Sequence, residues 1–305
     1  MIEINNILKC YKDIIALNNV SLIIENGEFF GLLGPNGAGK STMMNLLAGY
    51  ISPDKGEIKF DGVNITSENT AVRKKFGLVP QSLALYDEIS AVENLKIFGS
   101  LYSIPKSELK EIIGEKLNSV GLYERRKDMV KTYSGGMKRR LNLISSMLHS
   151  PDILLCDEPT VGVDPQSRNS IFEYLQKLNE KGLTIIYTTH YMEEAEKLCG
   201  RIAIIDTGKI IALGTLEELI NMLPYKEAIS FPKNIIGENQ LTDFGNFGDF
   251  KSSNEHYELK LNANARLSEF FRMLEEYNID PGFVEFHRPT LEELFLNLTG
   301  KELRD

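Results

Sequence analysis

The stretch Gly31–Thr42, GLLGPNGAGKST, contains four glycines, one proline and a single lysine, and it follows the apolar pair Phe29-Phe30. Glycine permits backbone conformations and close approaches that a Cβ atom would block. A glycine-rich loop that opens a helix directs several unpaired N–H groups at one point, where the helix dipole adds roughly half a positive charge. The stretch therefore predicts an anion-binding pocket between a strand and a helix.

Part of this stretch matches G-x-x-x-x-G-K-[ST], the phosphate-binding P-loop, in which the lysine reaches the β- and γ-phosphates and the hydroxyl binds Mg²⁺. The alternative is a strand–turn–helix corner without a ligand, but such a corner does not need this order of glycines, lysine and hydroxyls. We therefore predict that a nucleotide is held by Gly34, Pro35, Asn36, Gly37, Ala38, Gly39, Lys40, Ser41 and Thr42.

The charge and the hydropathy of the chain exclude some classes of function. The net charge is −9 and there is no strongly basic tail, which argues against broad nucleic-acid binding. The sequence has no apolar run of about 18 residues that could span a bilayer. Its start, MIEINNILKCYK, lacks the apolar core of a signal peptide. We therefore expect a cytoplasmic protein.

The order of apolar segments predicts two domains. Up to residue 223, strands alternate with helices, which indicates an α/β P-loop NTPase core: a mostly parallel sheet flanked by helices, with antiparallel N-terminal strands. A helical subdomain is predicted at about 84–150, where apolar residues recur at spacings of three and four. Residues 224–305 are predicted to form a small C-terminal α+β domain, in which the polar stretch 237–255 is expected to be a loop or a weak hairpin.

Two acidic residues follow a short apolar strand in ILLCDEP, residues 153–159. The end of a buried strand holds a side chain rigidly, as a catalytic or metal-binding group requires. We expect Asp157 to bind Mg²⁺, as an aspartate does in P-loop NTPases. Glu158 is a candidate general base for the attacking water.

A second candidate anion site lies in YSGGMKRRL, residues 133–141, where Ser134, Gly135 and Gly136 precede a helical run. An ordinary serine cap is the alternative, but a double glycine at a helix start costs stability. The chain thus has two phosphate-binding faces and only one P-loop.

Taken together, these motifs resemble those of the ATP-binding cassette (ABC) ATPases, over about residues 1–220. The resemblance implies that two subunits enclose two ATP molecules, each held between the P-loop of one subunit and the Ser-Gly-Gly signature of the other. It also implies roles for further residues: Tyr11 stacks on adenine, Gln81 touches Mg²⁺ and water, Asp164 crosses to the other subunit, and His190 contacts the γ-phosphate. The implied catalytic set is Lys40, Gln81, Glu158 and His190, and the implied Mg²⁺ ligands are Ser41, Gln81 and Asp157.

The sequence departs from the family pattern at two places, since Met137 stands where the signature usually has glutamine, and residues 161–164 read VGVD. YSGGMKRRL, GVDP and the tail RPTLEELFLNLTG are similar to the ATPases of bacterial ABC-2 type exporters. This resemblance implies an ATPase that energises a membrane exporter. Its expected partners are a second ATPase subunit, identical or not, and a separate permease that holds it at the inner face of the membrane. The alternatives are a soluble cassette protein acting on DNA or ribosomes, and a nucleotide-gated regulator without hydrolysis.

Overall fold

A computed structural model describes residues 1–252, 255–262 and 265–300, except for the side chains of residues 238 and 239. It divides into two compact units, the first being Met1–Leu213 and the second beginning at Gly214. This division falls before the domain boundary expected at 223/224, and the domain assignment stays a prediction.

The first unit contains two sheets. In chain order its strands are β1 (Ile2–Tyr11), β2 (Ile14–Ile24), β3 (Phe29–Leu33), β4 (Lys55–Phe60), β5 (Val63–Asn64), β6 (Phe76–Val79), β7 (Ile153–Asp157), β8 (Thr184–Thr189), β9 (Arg201–Asp206) and β10 (Lys209–Gly214). One sheet has the order β2-β1-β4-β5 and is antiparallel. The other has the order β10-β9-β3-β8-β7-β6, and its strands from β9 to β6 are parallel.

The central parallel strands are buried because both faces of their sheet are covered. Every residue of β3, β7 and β8 is buried, as expected for a sheet flanked on both sides. The carboxyl ends of adjacent parallel strands lie at one edge, so the residues that follow β3, β6, β7 and β8 are brought together there.

Helices of the first unit connect these strands. They are α1 (Lys40–Leu47), α2 (Thr70–Arg73), α3 (Ala91–Leu101), α4 (Lys106–Ser119), α5 (Gly135–Ser145), α6 (Pro165–Asn179) and α7 (Met192–Leu198). Helices α3, α4 and α5 lie in the stretch predicted to be helical. They share an apolar cluster that includes Leu95, Ile113, Leu117 and Leu141. The predicted fold, a mostly parallel sheet with antiparallel N-terminal strands and a helical insert, is thus confirmed.

The second unit is an α+β structure with its own core. Its elements are α8 (Leu216–Ile220), β11 (Tyr225–Pro232), α9 (Glu238–Phe244), β12 (Gly248–Ser252), β13 (His256–Asn262), α10 (Leu267–Glu276), β14 (Glu285–His287) and α11 (Leu291–Thr299). The strands form an antiparallel sheet in the order β12-β13-β11-β14.

The expectation of a loop or weak hairpin in 237–255 was wrong in its first half, where the chain forms α9 and then β12. The polar composition of this segment predicted a loop. The few apolar residues of α9 instead pack into a cluster of aromatic rings. Phe244 is fully buried there, with its ring centroid 5.4 Å from that of Phe270. Residues 253 and 254 lie outside the described part of the chain. Within the described ranges, no helix is both long and apolar enough to cross a membrane.

Candidate functional site

The P-loop connects β3 to α1 in a conformation that requires glycine at two positions. Gly39 has a φ of 109°, and a Cβ atom there would lie 2.5 Å from the carbonyl oxygen of Ala16. A Cβ atom on Gly34 would lie 2.1 Å from the carbonyl oxygen of Ile205. Both distances are far shorter than a van der Waals contact, so neighbouring carbonyl groups leave no room for a side chain at these two positions. The loop therefore presents its backbone at the start of a helix. This is the geometry of an anion cradle.

The Lys40 ammonium group is buried, with 4 % of the residue exposed. Its Nζ donates to the carbonyl oxygens of Gly34, at 2.7 Å, and Pro35, at 3.1 Å. The third partner is Glu158 Oε1, at 3.0 Å. An ammonium group has three donors, so these three partners use all of them. A phosphate that binds Lys40 must therefore replace one of these partners.

Glu158 lies at the centre of the site, directly after β7, and only 4 % of it is exposed. Its Oε2 accepts a hydrogen bond from Gln81 Nε2 at 3.0 Å and lies 3.3 Å from His190 Nδ1. Its φ of 45° is unusual for a residue other than glycine, and its N–H donates to Thr188 Oγ1 at 3.0 Å. One carboxylate thus brings together the four residues of the predicted catalytic set, from four separate segments.

The charge state of Glu158 follows from two opposing effects. Burial by itself raises the pKa of Glu158, but the hydrogen bond and the positive charge of Lys40, assisted by His190, outweigh burial. The pKa of Glu158 is therefore held below its ordinary value of 4.5. The carboxylate is ionised at neutral pH, which is the form that can accept a proton.

The residues predicted to bind Mg²⁺ carry oxygen donors suited to a hard cation. Asp157 is the last residue of β7, and its Oδ1 accepts a hydrogen bond from Thr188 Oγ1 at 2.7 Å. Ser41 is exposed in the first turn of α1. In the described ranges, no group of three or more His, Cys, Asp or Glu side chains could hold a metal ion. Mg²⁺ bound with a nucleotide takes few protein ligands and completes its shell with phosphate oxygens and water, so the oxygen atoms of Ser41, Gln81 and Asp157 are suitable donors.

The signature residues form the cap of α5. Ser134 Oγ accepts a hydrogen bond from the N–H of Met137 at 3.3 Å. A Cβ atom on Gly136 would lie 2.2 Å from Ser167 Oγ, whereas one on Gly135 would be 3.7 Å from its nearest neighbour, the carbonyl oxygen of Gly162. The start of α5 therefore packs tightly on the start of α6 at Gly136, and Gly135 faces more open space.

Gly136→Ala is expected to leave the protein about 1–3 kcal/mol less stable than Gly135→Ala, the usual cost of overpacking. Both variants add the same methyl group to the first turn of one helix, so their gain in helix propensity cancels in the comparison. Only the methyl group at 136 meets Ser167. Urea unfolding would measure the difference, and equal stabilities would contradict the tight contact.

Asp164 caps α6, which has Pro165 as its first residue. Its Oδ1 accepts a hydrogen bond from the N–H of Ser167 at 2.9 Å. Hydrogen bonds from the backbone and the side chain of Ser167 lower the pKa of Asp164. The Gly136–Ser167 contact thus brings Asp164 and the signature to the same part of the surface. The hydrogen bonds of this group are distinct from those that Glu158 makes with Lys40, Gln81 and His190.

Tyr11 ends β1 and is 45 % exposed. Its ring lies 5.7 Å from Lys9 Nζ. Asp54 holds this strand end, since it accepts a hydrogen bond from the N–H of Cys10 at 2.6 Å and pairs with Lys9 at 3.0 Å. A half-exposed ring on an anchored strand end can stack on a planar base.

Sequence reasoning missed a buried polar network behind His190. Glu194 accepts hydrogen bonds from Thr160, Tyr187 and Thr189 at 2.8–2.9 Å, and Arg168 Nε lies 3.7 Å away. Burial raises the pKa of Tyr187 well above its ordinary value, so its hydroxyl keeps its proton. Threonines and a tyrosine inside the buried strand β8 were the available signal, because buried polar groups need partners.

Similarity to known proteins agrees with this geometry. A family model described as ABC transporter matches residues 17–161. The linearmycin resistance ATP-binding protein LnrL of Bacillus subtilis (strain 168) is 43 % identical over the whole of both chains. A Nod factor export ATP-binding protein I of Cupriavidus pinatubonensis is 36 % identical and aligns with 100 % of this chain and 92 % of its own. The daunorubicin/doxorubicin resistance ATP-binding protein DrrA of Streptomyces peucetius is 39 % identical over 73 % of this chain and 67 % of its own.

Solved structures are similar to the cassette portion of the chain. The ATP-binding cassette MJ0796, in a dimeric post-hydrolysis state bound to ADP and Pi, has a TM-score of 0.65 and 30 % identity, and covers 71 % of this chain and 99 % of its own. An ATP-binding subunit of an ABC transporter has a TM-score of 0.66 and 27 % identity, and covers 73 % of this chain and 92 % of its own. The chain therefore belongs to the ABC transporter family as an ATP-binding, ATP-hydrolysing subunit of the ABC-2 type exporter group, which energises transport.

Proposed function

We propose that two copies of this chain close around two ATP molecules and reopen after hydrolysis, and that a permease bound to them uses this cycle for export. Each ATP lies between the P-loop of one copy and the Ser134-Gly135-Gly136 signature of the other. Closure is coupled to transport because ATP binds the closed dimer better than the open one, and only such a difference in affinity can shift the equilibrium.

The arrangement around Glu158 is the observation that carries this proposal. Its ionised carboxylate is within contact distance of Lys40, Gln81 and His190. In our mechanism, Lys40 binds the β- and γ-phosphates, Glu158 accepts the proton of the attacking water, and His190 contacts the γ-phosphate. Gln81 orients the water and is adjacent to the general base. Proton removal by a positioned base accelerates such a reaction by about 10²–10⁴-fold.

The remaining roles follow from the chemistry of each side chain. Ser41, Gln81 and Asp157 hold Mg²⁺, which when bound neutralises charge on the phosphate oxygens. Tyr11 stacks on adenine. Asp164 reaches the other copy from the cap of α6, next to the signature residues that Gly136 anchors. Each of these side chains is either partly exposed or makes a hydrogen bond that a ligand atom can replace.

A two-chain cross-link tests the shared site. Asn36 and Ser134 are both exposed, so one chain carries Asn36→Cys and the other Ser134→Cys, both with Glu158→Gln to retain ATP and with Cys10→Ser to remove the accessible native thiol. We expect a disulfide between the two chains only when ATP is present. Cross-linking that is absent, or equal without ATP, would refute the sandwich. Chains of different length make the mixed product visible on a non-reducing gel.

The permease is proposed to dock at a groove of about 540 Å³ between the parallel sheet and the helical region. Tyr50 and Leu101 line it and are 61 % and 72 % exposed. Its floor includes the amide of Asn142, whose Nδ2 is buried without a hydrogen-bond partner in the described part of the chain. Pro80 and Ala84 extend the groove to the loop that carries Gln81. Docking of the permease in the groove is therefore proposed to affect the position of Gln81 at the nucleotide site.

Leu101→Glu is expected to lower the fraction of the chain retained on washed membranes of cells that express the permease by about tenfold. Burying a leucine side chain is worth about 1.5–3 kcal/mol, and 1.4 kcal/mol corresponds to tenfold in affinity. Val63→Glu is the control, because Val63 is 47 % exposed on β5 and outside the groove. ATP turnover of the purified chain should be unchanged in both. Equal membrane retention of the two variants would place the docking surface elsewhere.

This proposal places the protein in the cytoplasm, at the inner face of the membrane through the permease. The names of the similar proteins support export, since they refer to resistance to linearmycin and daunorubicin and to Nod factor export. In this arrangement the permease selects the cargo.

A further inference from the structure

Arg139 joins the loop that carries Gln81 to the turn that follows Glu158. It lies in the second turn of α5, and its guanidinium group donates from Nη1 to the carbonyl oxygen of Gln81 and from Nη2 to that of Val161, the latter at 3.0 Å. Arg139 is partly buried, and burial lowers the pKa of its guanidinium group. A guanidinium group donates in a rigid planar fork, so it holds two acceptors in a fixed relation.

Both of these carbonyl groups belong to segments that contact Glu158. The side chain of Gln81 donates to Glu158 Oε2 at 3.0 Å. Val161 closes the turn that follows Glu158, with its N–H 3.4 Å from the Glu158 carbonyl oxygen. Arg139 thus holds two backbone segments near Glu158. One is that of Gln81, whose side chain binds the Glu158 carboxylate, and the other is the turn that follows Glu158.

The helix that carries Arg139 begins at Ser134. Arg139 follows Ser134 by five positions, which is about 7–8 Å along a helix axis. The same helix packs on α6 through Gly136 and Ser167. A displacement of the start of α5 is therefore transmitted to Gln81 and Val161 through a rigid element and two charge-assisted hydrogen bonds.

We propose that Arg139 is a positioning residue for ATP hydrolysis: it links the signature end of α5 to Gln81 and to the turn after Glu158, so that a nucleotide bound at the signature of one copy orients the general base of that same copy. This inference rests on the proposed roles of Gln81 and Glu158. Both of its hydrogen bonds go to the segments around Glu158, so we expect its loss to lower turnover more than ATP affinity.

The kinetic test compares Arg139→Ala and Arg139→Lys with Lys138→Ala in the full-length chain. Lys138 is the matched control, because it precedes Arg139 on α5 with the same charge and pairs with Asp87 at 2.8 Å. For Arg139→Ala we expect kcat to fall about tenfold with KM for ATP within about twofold, since a small misplacement of a catalytic group costs up to about 10²-fold. Arg139→Lys retains the charge but reaches one carbonyl at a time, so kcat should remain low. Lys138→Ala should match the wild type.

Two further measurements separate positioning from general destabilisation. Millimolar guanidinium chloride should restore part of the kcat of Arg139→Ala, and the same concentration of sodium chloride should not. The chain has no tryptophan, so Leu83→Trp, 38 % exposed and two residues after Gln81, reports on that loop alone. Acrylamide should quench this tryptophan more strongly with Arg139→Ala than with Lys138→Ala.

The outcomes distinguish this inference from the proposed function. If Glu158→Gln hydrolyses ATP as fast as the wild type, the proposed roles in the site are wrong. If Glu158→Gln is inactive but Arg139→Ala equals Lys138→Ala in kcat and in quenching, only the role of Arg139 is overturned. A rise in KM for Arg139→Ala at unchanged kcat would also overturn it, because it would assign Arg139 to nucleotide binding.

Discussion

Replacing Glu158 by glutamine is expected to lower ATP turnover by about 10²–10⁴-fold, the usual contribution of a general base. Glutamine has nearly the same size and can still accept a hydrogen bond from Gln81, so the fold of the site is retained. It cannot take a proton from water. Steady-state phosphate release by the purified chain measures the loss.

The same substitution should strengthen ATP binding by about tenfold. The Glu158 carboxylate pairs with Lys40 at 3.0 Å and adds negative charge beside the phosphate pocket. A neutral amide removes both the ion pair with Lys40 and the negative charge beside the pocket. ATP binding then no longer has to replace a charged hydrogen bond worth about 1.5–3 kcal/mol. ATP should therefore hold Glu158→Gln as a dimer, seen by size-exclusion chromatography with light scattering. Wild-type turnover, or a variant that stays monomeric with saturating ATP, would show that the base or the two-chain site is misassigned.

Lys40→Ala is expected to abolish detectable ATP binding and to destabilise the nucleotide-free protein. The first effect reflects loss of the charge that meets the β- and γ-phosphates. The second arises because Lys40 and Glu158 form a buried pair, with side chains 4 % and 5 % exposed. Orphaning a buried charge costs about 3–5 kcal/mol, and we expect the low end, about 3 kcal/mol, because Gln81 and His190 still contact the carboxylate. Isothermal titration and urea unfolding measure the two effects.

The double variant Lys40→Ala/Glu158→Gln separates them. It leaves no orphaned charge, so it should be more stable than Lys40→Ala while still failing to bind ATP. The difference from additivity measures the coupling of the two side chains. If the changes in the free energy of unfolding of the two single variants simply add, the ion pair has no energetic role. The proposal that Lys40 exchanges its partner Glu158 for phosphate would then be wrong.

Helix starts and glycine loops were predictable from the sequence because their causes are local. The P-loop glycines and the Ser134-Gly135-Gly136 stretch before α5 are patterns within a few residues, set by backbone freedom and by unpaired N–H groups at a helix start. The resemblance to ABC ATPases rested on these patterns and on their order. The alternation of strands and helices likewise determined the sheet class.

The part that needed the tertiary structure is which distant side chains meet. Gln81 and Glu158 are 77 residues apart, and Arg139 reaches Gln81 across 58 residues. These contacts exist because the strand order β3-β8-β7-β6 places the ends of separate strands at one edge, and no local pattern encodes that order. For the same reason the pairing of Lys40 with Glu158, and the carboxylate of Glu194 among buried hydroxyl groups, could not be inferred from residue types. The sequence by itself thus determined the fold class and the candidate residues, whereas packing of the sheet decided their partners, and with them the charge state of Glu158, the proposed general base.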